Sequence, residues 1–181
     1  EYVSNYKKPI DKGKENILVS HIMSHSSGLP GWDKPVAGED LYDPDKVAAL
    51  FETQEPWWEP GTALGYHAIS VGNLMGEIIK RISGKTVGNF FRDEIAKPLD
   101  IDFHIGLEDK HHSRVAEIHQ AVEANPEDLF ELEEGSVMHK VMTNGIITAP
   151  DANTTEWRRA EIPAAGGHGN GRSIAESMAL I

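Results

Sequence analysis

Between Ala68 and Ser83 the chain sets Val71, Leu74, Met75, Ile78, Ile79 and Ile82 at three- and four-residue steps, and Gly84 follows at once. That spacing lines the six side chains along one stripe of an α-helix, and a glycine just past the last turn supplies a left-handed stop. A stripe this apolar must be covered, so the segment demands a packed globular partner. The residues before it are equally restrictive. In "WWEPGTALGYHA", residues 57–68, Pro60-Gly61 forces a turn and Gly65 permits a close backbone approach, so Tyr66 leaves a fixed loop at the mouth of the helix.

Other helices are signalled by their ends. Residues 17–25 can form a short helix with Leu18, Ile22 and Met23 on one side, closed by "SSGLPG". Asp43-Pro44 reads as N-cap and first turn of a helix through about Phe51, with Val47, Leu50 and Phe51 inward. Thr86 can cap a helix carrying Val87, Phe90, Phe91 and Ile95, which Pro98 must end. "NPEDLFELEE" from Asn125, "SVMHKVM" from Ser136 and residues 170–181 carry further helix signals. Alternation is scarce; "RVAEIHQAV" from Arg114 is the best strand candidate, and it suits a helix as well. The expected fold class is mainly α, in one helical domain over residues 1–181.

Composition removes several functions. No 18-residue apolar run is present to cross a membrane, and "EYVSNYKKPIDKGKEN" lacks the apolar core of a secretory signal. The chain has no cysteine, which excludes disulfides, thiolate nucleophiles and cysteine-bound zinc, and agrees with a reducing cytoplasm. A net charge of −12 repels polyphosphate, and the largest basic cluster is Lys7, Lys8, Lys12 and Lys14. Neither nucleic acid nor a membrane is therefore an expected partner.

Several local patterns fail their own tests. His21 and His25 stand at i, i+4, with His111, His112 and His119 elsewhere, but no glutamate completes a His-Glu-x-x-His motif, so no metal is expected. "SGKT" at 83–86 needs a glycine at Ile79 to be a phosphate-binding loop, and "GGHGNG" at 166–171 has Arg172 where the last glycine of a dinucleotide fingerprint would stand. No nucleotide or redox cofactor is implied. Tyr66 supports two readings. The partial positive charge of a helix N-terminus would ease proton exchange by its phenol, or the ring is a half-buried packing residue with its hydroxyl on backbone. Trp57 and Trp58 could equally wall an acyl pocket or pack at the rim.

Three stretches together resemble a known family: "SHIMSHSSGLPGW" (20–32), "WEPGTALGYHAISVGNLMGEIIKRISGKTVGNFFRDEIAKPLDIDFHIGL" (58–107) and "EIPAAGGHGNGRSIAESMAL" (161–180). They are similar to the serine β-lactamase-like hydrolases, and most to family VIII carboxylesterases and β-lactamase domain-containing proteins. The resemblance covers most of residues 1–107 and 161–181 and weakens over 108–160. It implies the helical part of the β-lactamase and penicillin-binding-protein fold, lacking most of the sheet.

The family uses a Ser-x-x-Lys nucleophile, a Tyr-x-Asn tyrosine that exchanges protons, and a Lys-Thr-Gly or His-x-Gly substrate strand. Tyr66 falls on the family tyrosine, which implies a general acid/base role. Ala68 stands where β-lactamases place asparagine, which favours esters over β-lactams. Trp57, Trp58, His67 and His168 are the expected substrate-side residues, although His67 can also be a simple spacer beside Tyr66. The one Ser-x-x-Lys, Ser4 to Lys7, is followed by Pro9 and Gly13, which oppose a long helix. The nucleophile is therefore expected upstream of residue 1, making the chain an internal fragment. Lys85-Thr86 continues with Val87, and His168-Gly169 with Asn170, so neither forms the substrate strand. The expected function is part of a serine esterase working through an acyl-enzyme on short-chain carboxylic esters, inactive by itself, with the rest of its α/β domain as partner. The alternatives are a fragment of a β-lactamase or penicillin-binding enzyme, and a noncatalytic binding module.

Overall fold

The computed structural model describes residues 12–119 and 132–180, and five of its helices begin at a side-chain cap, whereas α1 and α3 begin without one. Helix α1 is Val19–Met23. Helix α2 is Pro44–Thr53, where the Asp43 carboxylate accepts the Lys46 N–H at 3.1 Å. Helix α3, Ser70–Ser83, ends at left-handed Gly84, φ 72°. Helix α4, Val87–Phe91, is capped by the Thr86 hydroxyl and runs into a π-turn over Arg92–Ala96. Helices α5 (Val137–Met142), α6 (Thr155–Arg159) and α7 (Gly171–Met178) are capped by Ser136, Thr154 and Asn170. Each cap satisfies an N–H that the first turn leaves open.

Strands are confined to a ribbon, β1 (His104–Ile105) antiparallel to β2 (Gly167–His168), with His104 facing His168 and Ile105 facing Gly167. The "GGHGNG" stretch is thus half strand, and its glycines have a packing reason. A Cβ on Gly167 or Gly169 would come within 2.6 or 2.4 Å of the Phe103 ring. Among the described residues Arg114–His119 forms no strand: Asp109–Arg114 is a 3₁₀ turn followed by irregular chain, where Ile118 is bonded at both backbone groups to the Asn153 side chain instead. The rest of that candidate and the "NPEDLFELEE" segment, apart from Leu132, Glu133 and Glu134, lie outside the described residues.

The core gathers around stacked Trp32 and Phe51, whose ring centroids are 5.4 Å apart, with Leu41, Val47 and Ile162 fully enclosed. Each such aliphatic side chain stabilises the fold by roughly 1.5–3 kcal/mol. Gln54 ties the loop after α2 to this core, donating to the Gly31 carbonyl at 2.8 Å and accepting the Asp33 N–H at 2.9 Å. Asn144 makes the corresponding tie after α5, holding Val36 N–H at 2.7 Å and the Trp32 carbonyl at 2.7 Å.

Two expectations about buried faces change. In α1 only Ile22 is buried, and Leu18 and Met23 are exposed. The stripe of α3 packs against the core only partly, through Val71, Leu74, Met75 and Ile78, and Ile82 is open to solvent. Its sealed residues are the small or polar Ser70, Gly72 and Asn73. Gly72 leaves no room for a Cβ, which would meet the Ala164 nitrogen at 2.6 Å. Asn73 is buried there with neither amide atom hydrogen-bonded to any described residue. Among the described residues no helix is long and apolar enough to cross a membrane.

Candidate active site

The loop that carries Tyr66 is fastened along its length to the turn that follows α1. Trp57 N–H donates to the Gly28 carbonyl at 2.7 Å, and Gly61 N–H to the Ser26 carbonyl at 2.9 Å. Trp58 Nε1 donates to the same Ser26 carbonyl at 3.3 Å. Gly65 N–H donates to the His25 carbonyl at 3.0 Å, and His67 N–H to His25 Nδ1 at 3.1 Å. Ser70, opening α3, donates its hydroxyl to the Pro30 carbonyl at 2.8 Å. Tyr66 is therefore bracketed on both sides by bonds to a single residue, His25.

The Tyr66 side chain itself is 56% exposed, with its ring 5.2 Å from the His25 ring. It stands on the surface of a rigid loop. The helix starts at Ser70, two residues later than the spacing predicts, so Tyr66 lies ahead of the first turn.

His67 sits behind the tyrosine. It is fully buried, and its ring is bonded at both nitrogens. A carbonyl can only accept, so Nδ1 donates to the Gly65 carbonyl at 2.5 Å and Nε2 accepts the Ser27 hydroxyl at 2.7 Å. The Ser27 oxygen in turn accepts Leu29 N–H at 3.2 Å. Burial pushes the His67 pKa below its ordinary 6.5, partly offset by the Gly65 carbonyl, and the ring is a neutral strut. A serine hydroxyl this close to an imidazole has the geometry of an activated nucleophile. Here both side chains are 0% exposed, so no ester can reach the pair.

The two tryptophans are half-buried and locally held. Trp57 Nε1 donates to Asp33 at 2.7 Å, and the Lys140 ammonium lies 5.4 Å from its ring centroid. Trp58 lies under Gly65, where a Cβ would come within 2.4 Å of the indole. Trp58 therefore seats the residue before Tyr66, while Trp57 faces α5.

His168 is placed elsewhere. It is half-buried on the β-ribbon opposite His104, and none of its contacts reaches the Tyr66 loop. Burial pushes its pKa down, assisted by nearby Arg158, His104 and His112. The His21–His25 pair does not share a helix face, because α1 stops at Met23 and His25 turns left-handed at φ 59°. Among the described residues no three His, Asp or Glu side chains are grouped to hold a metal ion. Ser4 and Lys7 lie outside the described residues. A groove of about 240 Å³ between α2 and α3 is lined by Asp45, Glu52, Glu77, Lys80 and Arg81, and shares no residue with the Tyr66 loop.

The clamp formed by His25, Ser27 and His67 is not legible from spacing, since His67 stands about 40 residues from the other two. The available signal was a polar "SHSS" run leading into Gly28 and Pro30, where backbone turns need side-chain acceptors.

The β-lactamase family model matches residues 2–180. The esterase/beta-lactamase LipL of Mycobacterium tuberculosis (strain ATCC 25618 / H37Rv) is 35% identical over 98 residues, 52% of this chain and 22% of that protein. A family VIII carboxylesterase of solved structure superposes at TM-score 0.80 with 37% identity, over 91% of this chain and 42% of its own. A penicillin-binding protein homologue from Caulobacter crescentus gives TM-score 0.71 and 32% identity over 92% and 43%. EstA from Arthrobacter nitroguajacolicus Rue61a gives 0.80 and 27% over 92% and 44%. The chain spans less than half the length of these relatives. Its mainly helical architecture is the part of their fold that it shares, and the chain belongs to the β-lactamase family.

Proposed function

We propose that this chain is the helical part of a serine hydrolase acting on carboxylic esters, with Tyr66 as the group that exchanges protons. The observation that carries the reading is the exposed Tyr66 ring on a loop fixed on both sides to His25, in a chain 37% identical to a family VIII carboxylesterase. In the reaction a serine oxygen bonds the ester carbonyl carbon while its proton passes to the tyrosine oxygen, which enters the step as phenolate, its own proton held by the lysine of the Ser-x-x-Lys motif expected outside this part of the chain. The tyrosine then gives that proton to the alkoxide as the carbon–oxygen bond breaks, leaving an acyl-enzyme. Water reverses the sequence, and backbone amides hold the oxyanion.

The serine would come from polypeptide outside residues 12–180, where no Ser-x-x-Lys occurs. The rest of an α/β domain is then the natural partner. Exposed Leu18, Met23 and Leu64, and the buried Asn73 amide without a described partner, support a surface completed by further chain. Trp57 and Trp58 support an apolar wall beside the tyrosine, and His67 acts from behind it. His168 would reach substrate only if the missing domain bends the site toward the ribbon.

A β-lactam substrate is the second reading, favoured by the likeness to the Caulobacter crescentus homologue. Ala68 offers no amide to a β-lactam side chain. The test uses the full-length gene product with p-nitrophenyl butyrate and nitrocefin. Ester hydrolysis exceeding nitrocefin hydrolysis, and falling about 10²–10⁴-fold in Tyr66→Phe, is expected. An unchanged ester rate in Tyr66→Phe would overturn the reading.

A further inference from the structure

We infer that His25 is the positioning residue for Tyr66, clamping the tyrosine's two neighbouring amides with its own carbonyl and imidazole. The inference rests on the proposed role of Tyr66 and deepens it.

The backbone at His25 is the first observation. The end of α1 is a Schellman turn: His25 N–H donates to the Ile22 carbonyl at 3.2 Å, and Ser26 N–H to the His21 carbonyl at 2.7 Å. The residue between them must be left-handed, and His25 adopts φ 59°. Glycine serves that position at no steric penalty, whereas a side chain with a Cβ resists it. An imidazole kept where glycine folds better points to a use for the ring.

The second observation is what the left-handed turn does. It brings the His25 carbonyl to the Gly65 N–H at 3.0 Å and His25 Nδ1 to the His67 N–H at 3.1 Å. The amide N–H groups of the two residues flanking Tyr66 are thus fixed by one residue, and the tyrosine ring lies 5.2 Å from the imidazole at a 51° tilt. The first bond is backbone to backbone and remains with any residue at 25, whereas the second needs the imidazole. Because a backbone N–H can only donate, Nδ1 is unprotonated and the ring proton of neutral His25 sits on Nε2.

Two further contacts reinforce the clamp from below. His67, whose amide is held by His25, locks its own ring to the Gly65 carbonyl, so residues 65–67 form a closed loop of bonds. The His67 ring is 5.3 Å from the His25 ring, which leaves little freedom for either. Releasing His25 Nδ1 frees the His67 amide and with it the direction in which Tyr66 leaves the backbone.

The test compares His25→Gly, His25→Asn and Tyr66→Phe in the full-length protein. His25→Gly favours the left-handed turn, so it keeps the fold and removes only the ring. His25→Asn keeps both a left-handed preference and a side-chain acceptor. The expected result is a kcat lowered roughly tenfold to a hundredfold in His25→Gly, at little changed KM and melting temperature, and largely recovered in His25→Asn. A His25→Gly kcat within about twofold of the parent, alongside a large loss in Tyr66→Phe, overturns the positioning role and leaves the tyrosine's role standing. An unchanged Tyr66→Phe rate overturns both. Imidazole ¹⁵N spectra test the clamp apart from catalysis: neutral His25 protonated on Nε2 supports it, and protonation on Nδ1 overturns it.

Discussion

Replacing Gly65 by alanine should damage the fold and the site together, and the structure sets the size of the effect. The added Cβ would lie 2.4 Å from Cη2 of Trp58, 3.2 Å from its Cζ3 and 3.2 Å from Val137 Cγ1. Carbon atoms pack at about 3.5–4 Å, so the indole or the loop must give by about 1 Å. Trp58 is not free to do so without stretching its bond to the Ser26 carbonyl, already 3.3 Å. Overpacking of this kind costs about 1–3 kcal/mol, and loss of the hydrogen bond adds about 1 kcal/mol. The indole is half-buried and can tilt outward, which places the expectation at the lower end. Urea unfolding of Gly65→Ala, Trp58→Ala and the double variant isolates the contact. With the indole gone most of the penalty should vanish, giving a coupling of about 1–2 kcal/mol. Additive effects, or a neutral Gly65→Ala, would refute the claim that the tyrosine's platform is seated on Trp58. The same variant should lower kcat, since about 1 Å of displacement at a reacting group can cost up to a hundredfold.

Three further outcomes follow from the fixed groups. Burial lowers the pKa of His67 in the folded state, so the unfolded chain takes up the proton first as pH falls. Stability is then complete above the ordinary histidine value of 6.5 and declines below it, by at most about 1.4 kcal/mol per pH unit for this group. Urea midpoints measured from pH 8 to pH 5.5 should show the decline, and His67→Gln should flatten it; a midpoint that rises on acidification contradicts the assignment. Lys14 donates to the carbonyls of Phe51 and Glu52 at 2.7 Å and of Gln54 at 3.0 Å, a cation on the C-terminus of α2. Lys14→Met should lose about 1–2 kcal/mol by thermal unfolding, and no loss would show those bonds idle. Glu161 accepts the Thr86 hydroxyl at 2.7 Å and the Gly88 N–H at 2.8 Å, so Glu161→Gln should cost about 1 kcal/mol and fray α4 by hydrogen exchange.

Much of the helical frame was legible because its causes are local. Asp43, Thr86, Ser136 and Asn170 cap the helices they announce, and Gly84 ends α3 where the apolar stripe stops. Thr154 ahead of α6 carried the same kind of signal, only for a helix of a single turn and a half. What was not legible depends on distant chain. The two-residue strands carry no period of their own and exist because His104 meets His168. The sealed face of α3 is set by Pro163 and Ala164 pressing on Gly72, which no periodicity within the helix records. At the candidate site, the fixed loop that carries Tyr66 was legible from Pro60-Gly61 and Gly65. Its fastening was not, because His25 and Ser27 reach His67 across some forty residues. A residue's chemistry shows in its type and neighbours, whereas the group that aims it is known only once the chain has closed.

The central claim is that Tyr66 works at the oxygen of a serine brought from outside residues 12–180. A crystal structure of the full-length protein, inactivated with an ester-like phosphonate, tests it directly. The Tyr66 hydroxyl should lie at hydrogen-bond distance, about 2.6–3.2 Å, from the phosphonylated serine oxygen. A phosphonylated serine separated from Tyr66 by intervening protein contradicts it.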